Sequence, residues 1–176
     1  MKSRVYITNG MGGCGKDTFA EFMRQMVPGV IKISSIDRVK TIAKQCGWDG
    51  GKTEKDRKFL SDLKTLLSKY NDHPYQYLRS WVNMTQKDDF SFRVLIIDIR
   101  EPEEIERAKK EFGAKTILIW NKRVPHISSN PADDGVYKYT YDIVIENNGT
   151  LEDFKEATRR FAEAEGLCLC ENLVKE

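Results

Sequence analysis

The sequence predicts a three-layer α/β domain: a mostly parallel sheet of about five strands with helices on both faces. Three observations predict it. Short β-branched runs alternate with helical periodicities from one end of the chain to the other. The run "FRVLIID" at 92–98 is continuously apolar up to its last residue, as in a parallel strand covered on both sides. No composition break, linker or internal repeat divides the 176 residues, a length that suits one sizeable core and is short for two.

Arg4 to Thr8 is a β-branched and aromatic strand that ends at Asn9 and a cluster of glycines. A helical pattern follows through Phe19, Phe22, Met23 and Met26 and stops before Pro28. Val30 to Ser34 reads as the second strand. Ile36 to Cys46 has helical spacing at Ile36, Val39, Ile42 and Ala43, with Gly47 as its stop. "WDGGKTEKD" is a loop, and from Lys55 to Tyr70 the residues Phe59, Leu63, Leu66, Leu67 and Tyr70 share one helix face. Pro74 opens a further helix through Tyr77, Leu78, Trp81 and Val82. After the apolar strand, Glu101 to Phe112 is helical and ends at Gly113, and Lys115 to Trp120 is the fourth strand. Residues 121–139 lack periodicity, Ile143 to Glu146 is the last strand, and Leu151 to Ala164 is a closing helix capped by Thr150. The expected organisation is a single domain over 1–176, with a helical acceptor-site insertion at about 36–90 and a lid-like loop at about 121–139.

The formal net charge of +2 gives no global field, so any anion site is local and no nucleic-acid polymer is implied. Met1-Lys2-Ser3 leads straight into Val5-Tyr6-Ile7, too short for a signal segment, and no run approaches the ~20 apolar residues of a membrane span. The expectation is a cytoplasmic protein without membrane contact. The four cysteines at 14, 46, 168 and 170 form no Cys-x-x-Cys pair and are expected to be reduced, with Cys168 and Cys170 in a structural tail. Cys14 is expected to be exposed at a helix N-terminus, where a thiol's pKa falls and oxidation follows.

Ligands of such sheets bind beyond the carboxyl ends of the strands, so those residues carry the functional expectations. After the first strand, Gly10, Met11, Gly12, Gly13, Cys14 and Gly15 form a loop whose N–H groups can wrap a phosphate, and Lys16 opens the following helix. Gly10, four residues, Gly15 and Lys16 match the phosphate-loop spacing, and Lys16 would reach β and γ phosphates. The pattern asks for Ser or Thr next, to ligate magnesium; this chain has Asp17, then Thr18. A carboxylate is a hard oxygen donor as magnesium prefers, either directly or through water. After the second strand, Asp37 either caps a helix or faces an acceptor, and Lys40 lies one turn on. Asp98 ends the third strand as a second candidate metal ligand, and Arg100 can fork onto phosphate oxygens. Arg123 sits at the mouth of the irregular segment as a candidate lid cation, while His126 reads as solvent-exposed. Asn147, in the "NNG" stretch, either belongs to a tight turn into the last helix or is a contact beside the nucleotide base, and Arg57, in the insertion, is a candidate acceptor contact.

These stretches, in order, resemble the phage and bacterial deoxynucleoside monophosphate kinases, within the wider nucleoside monophosphate kinase group of P-loop proteins that also contains dephospho-coenzyme A kinase. "GKDT" is similar to that family's loop, where aspartate is an accepted variant. "SIDRVK" resembles its Phe-Ala-Asp-Pro-Leu-Lys element, "IIDIREPEEIERAKKEFGAKTILI" its Asp-x-Arg segment and acidic helix, and "YDIVIENNGTLEDF" its last strand and Asn-x-Gly-Thr turn. The resemblance spans most of the chain. It departs in the fourth loop, where "NPADD" stands in place of a His-x-Ser-Glu element, and it is weak from Lys52 to Trp81. It implies a P-loop NTPase fold, ATP with Mg2+ and a small phosphate-bearing acceptor. Lys16, Asp37, Arg100 and Arg123 would act in transfer; Gly10 to Thr18 and Asn147 would hold nucleotide. Asp37, Lys40, Arg57 and Arg100 would hold the acceptor, and Asp17 and Asp98 the metal. A hydroxyl acceptor such as dephospho-coenzyme A, with Asp37 as base, and a non-catalytic nucleotide binder stay open. A GTPase switch is disfavoured, because "NKRV" puts Val124 where guanine recognition needs a carboxylate.

Overall fold

The computed structural model describes residues 3–87, 93–125 and 135–167. His126, the "NPADD" segment with the 126–134 part of the expected lid, residues 88–92, and Cys168 and Cys170 lie outside the described residues.

Strands β1 (Arg4–Asn9), β2 (Val30–Ser34), β3 (Val94–Asp98), β4 (Lys115–Trp120) and β5 (Ile143–Glu146) form one sheet in the order β2-β3-β1-β4-β5. Every pairing is parallel. β1 is central, with Thr8 opposite Asp98 on one side and Ile117 on the other. Helices α1 (Lys16–Met26) and α6 (Leu151–Ala164) cover one face; α4 (His73–Thr85) and α5 (Pro102–Phe112) cover the other.

Side-chain alternation along the strands divides the core. Tyr6, Val94, Ile96, Ile117, Ile119 and Ile145 meet Phe19, Met23, Phe154 and Phe161 of α1 and α6. Val5, Ile7, Leu95 and Ile97 meet Tyr75, Leu78, Ile105 and Ala108 of α4 and α5. Each fully buried large side chain among these stabilises the fold by roughly 1.5–3 kcal/mol. Tyr6 and Phe19 both pack edge-on against Phe161, which ties the first strand and helix to the last helix.

Between β2 and β3 the chain forms α2 (Asp37–Gln45) and α3 (Glu54–Asn71), followed by α4. α3 differs from its periodicity. Its apolar face is only thinly covered: no residue of α3 is buried, and Leu66 and Tyr70 are 64% and 82% exposed. The reason is its position, against α2 and α4 rather than against the sheet. Thr53 and Asp56 hold its first turn by a reciprocal capping box.

Candidate functional site

β1 delivers the glycine-rich loop from the middle of the sheet, and Gly15 is the N-cap of α1. At Gly10, φ is +148°, and a Cβ would lie 2.5 Å from the Ile119 carbonyl oxygen and 2.6 Å from Cys14 Sγ. The loop therefore crosses β4 at a distance open to glycine alone. At Gly15, φ is +110°, and a Cβ would meet Asn147 Nδ2 at 2.6 Å and the Phe154 ring. Gly12 and Gly13 have nothing within 4 Å of such an atom, so the outer rim of the loop is open.

Buried groups fix the loop from beneath. Met11 packs with Leu118 and Val136. The Asn147 amide donates to the Cys14 carbonyl at 2.9 Å, so Asn147 braces the glycine-rich loop. Cys14 corrects the expectation of an exposed, acidified thiol: it is 1% exposed, and burial pushes its pKa up despite the nearby Lys16. The close approach at Gly10 turns the Cys14 side chain under the loop, away from solvent. Lys16 Nζ donates to the Gly10 carbonyl at 2.6 Å and the Met11 carbonyl at 3.1 Å, spanning the mouth of the loop.

The carboxylates gather on the β3 side. Asp98 Oδ1 accepts from the Thr8 hydroxyl, and Asp98 Oδ2 lies 2.7 Å from Lys32 Nζ. The same ammonium pairs with Asp17 Oδ1 from the first turn of α1. The hydrogen bond from Lys32 holds the Asp17 carboxyl below the usual range, with Lys16 and Lys40 adding to it. Burial lowers the Lys32 pKa, but Asp98 and Asp17 more than reverse this and its net shift is upward. Thr18 is half-buried beside Asp17. Asp37 Oδ2 accepts from the Ser34 N–H at 2.7 Å, and Ser35 N–H donates to the Asp98 carbonyl at 3.2 Å, which places Asp37 just beyond Asp98. Asp37 is the first residue of α2 and not its cap: the N-cap is Ile36, and the Asp37 carboxylate reaches back to the turn after β2 and does not bond an N–H of its own helix.

Arg100 is held through its backbone: Asn9 Nδ2 donates to its carbonyl at 3.2 Å. The Arg123 guanidinium donates to the Asn148 carbonyl at 2.5 Å and to that of Gly149, at the turn between β5 and α6. Lys40 and Arg57 are exposed on α2 and on the first turn of α3. The structure thus groups Lys16, Asp17, Asp37, Asp98 and Arg100 around the ends of β1 and β3, with Arg123 against the β5–α6 turn.

Three groups were missed by sequence reasoning. Lys32 is one; its signal is a lysine within the apolar strand "VIKIS". Asn9 is another: fully buried, it accepts from the Gly10 N–H at 2.8 Å and donates to Tyr141 Oη at 2.8 Å, which donates on to the Val136 carbonyl. The third is Lys64 on α3, which donates to Glu101 at 2.7 Å and Glu104 at 2.8 Å. These residues, with Thr65, Ser68 and Lys69, line an open cleft of about 310 Å³.

In that cluster burial, and then the neighbouring Glu101, push the Glu104 carboxyl up to about 7 against the pull of Lys64. A carboxyl raised in the fold favours folding while protonated, so this contribution is present below its ordinary value and is lost as pH rises through about 7. Glu101 shifts the other way and stabilises above its ordinary value. Glu104→Gln is therefore expected to gain stability over the parent as pH rises toward 8, by on the order of 1 kcal/mol, measured as urea midpoints at a series of pH values. A difference that does not change with pH rejects the assignment.

The residues present suit magnesium carried by a nucleotide. Among the described residues no three His, Cys, Asp or Glu converge into a cage. Asp17 and Asp98 instead offer two hard oxygens beside an open loop, and magnesium is commonly held by one or two carboxylates plus substrate phosphates. No helix among the described residues is long and apolar enough to cross a membrane.

No protein-family model matches the chain, and no curated protein matches it by sequence. Solved structures do. Thymidylate kinase from Candida albicans superposes with a TM-score of 0.56 at 11% identity, over 94% of this chain and 93% of that one. A sugar kinase from a Janibacter species gives 0.53 at 16% identity over 94% and 95%. Dephospho-CoA kinase from Campylobacter jejuni gives 0.51 at 15% identity over 92% and 97%. At such identities the likeness is one of fold. With its parallel sheet order, its loop after β1 and these superpositions, the chain has the three-layer α/β fold of the P-loop kinases.

Proposed function

We propose that the protein is an ATP-dependent phosphotransferase whose acceptor is a small phosphate-bearing molecule, first among them a nucleoside or deoxynucleoside monophosphate. One observation carries this reading: the Lys16 ammonium and the Asp17 and Asp98 carboxylates stand around a loop that can bind phosphate along its backbone, and Arg100 follows Asp98 by two residues. In transfer, the bond from the γ-phosphorus to the β–γ bridging oxygen breaks and a bond to an acceptor oxygen forms, with ADP as the leaving group. An acceptor phosphate is already anionic, so no proton has to move. Lys16 and the loop N–H groups neutralise charge on the β and γ phosphates, and Arg100 does so on the acceptor side. Magnesium, when bound, supplies further charge neutralisation on the phosphates; Asp17 and Asp98 are the residues that would hold it.

The insertion supplies the acceptor wall. Tyr77 of α4 stands near enough to Asp37 to feel its charge and packs edge-on to Trp81, an aromatic pair suited to a planar base. A hydroxyl acceptor has one specific support, Asp37 beyond Asp98 as a base, but one of its oxygens already serves the Ser34 N–H. A coupled ADP-release assay over a panel of nucleoside monophosphates and alcohols tests this. Turnover is expected with a monophosphate. Turnover only with an alcohol selects dephospho-coenzyme A or a similar substrate, and ATP binding without turnover on any acceptor selects a non-catalytic nucleotide binder.

A further inference from the structure

We propose that Lys32 is a built-in counter-ion of the Asp17–Asp98 pair, one that a divalent cation has to displace, so that the metal is accepted with nucleotide and resisted alone. This rests on the metal role proposed for the two carboxylates. Lys32 leaves the sheet opposite Ile96, and its stem runs two residues toward the carboxyl edge to reach Asp98. Its side chain is 12% exposed and that of Asp98 16%, whereas that of Asp17 is 98% exposed. The ammonium is thus bound on the inside, and its outer partner faces the solvent from which a metal arrives.

The charge balance gives the pair its selectivity. Two carboxylates and one ammonium leave a single net negative charge, a weak site for a free dication. A dication entering beside Lys32 meets like-charge repulsion at close range, and Lys16 stands at the neighbouring loop mouth. Nucleotide phosphates remove that obstacle: they give both ammonium groups an anionic partner as the metal takes the carboxylates. No titration of any group is involved, since the ammonium only changes partner.

The test is Mn2+ binding without nucleotide, read by electron paramagnetic resonance, on the parent, Lys32→Met and Lys32→Gln, with circular dichroism as the check of fold. Removal of the ammonium is expected to tighten bare Mn2+ binding about tenfold or more, and Asp98→Asn in the Lys32→Met background to abolish the gain. Thermal unfolding is expected to show a larger upward shift with Mg2+ for both Lys32 variants than for the parent. Equal or weaker Mn2+ binding by both variants overturns the proposal, as does a variant that is unfolded with and without Mg2+. Because neither nucleotide nor acceptor is present, failure of the phosphotransferase reading shows separately, as an inactive parent in the ADP-release panel.

Discussion

Lys16→Met lowers turnover roughly a thousandfold while the fold survives: this is the expected result of removing the loop's own cation. In the free protein its ammonium is held by two carbonyls of the loop, at 2.6 and 3.1 Å, a backbone cradle that aims it across the mouth. Under the proposed function, charge that builds on a transferring phosphoryl group would meet it in a largely fixed environment, where a positioned cation is worth far more than in water. Methionine keeps the length of the side chain and its packing, so thermal unfolding is expected to change little. Steady-state ADP release on the best acceptor is the measurement. Activity within tenfold of the parent rejects Lys16 as the transfer cation.

Gly10→Ala has the second large effect, and it acts through the fold. The added methyl meets a backbone carbonyl at 2.5 Å, where no flexible side chain can yield, and the φ of +148° disfavours any L residue. A loss of about 3 kcal/mol is expected, which for a chain of this size lowers the midpoint by roughly 6–12 °C. Under the proposed function ATP affinity is expected to fall with it, because β1 and β4 have to part beneath the loop. Gly12→Ala is the control: its φ is not positive and its surroundings are open, so stability is expected to stay within about 0.5 kcal/mol. Comparable losses in the two variants, by calorimetry, count against a close crossing at Gly10 as the cause.

The strands and the last helix were legible because their signals are local. "VLIID" is apolar in both directions of the pleat, and Thr150 and Asp153 form the capping box that starts α6. The loop was legible because glycine spacing encodes backbone geometry directly. What escaped was fixed by partners distant in sequence. Cys14 is buried by the crossing over β4, more than 100 residues away. Lys32 has its role through the registers that set β2 against β3 and β3 against β1, which no window of the sequence contains. Asn9 looked like the end of a strand, and only the return of Tyr141 beneath the loop reveals it as a polar strut. α3 shows the opposite error: its periodicity is real, but periodicity does not say how much of a face another element will cover.

The central position of β1 has a consequence for exchange and motion. Tied to β3 on one side and β4 on the other, its amides at Tyr6 to Thr8 can open to solvent only when the sheet itself comes apart, so they should be among the slowest to exchange. α3, with no buried residue, should exchange fastest among the long helices. The protein is then mechanically lopsided. The glycine-rich loop stands on a stiff platform, and the compliance is concentrated in α3, on the outer side of α2 and α4.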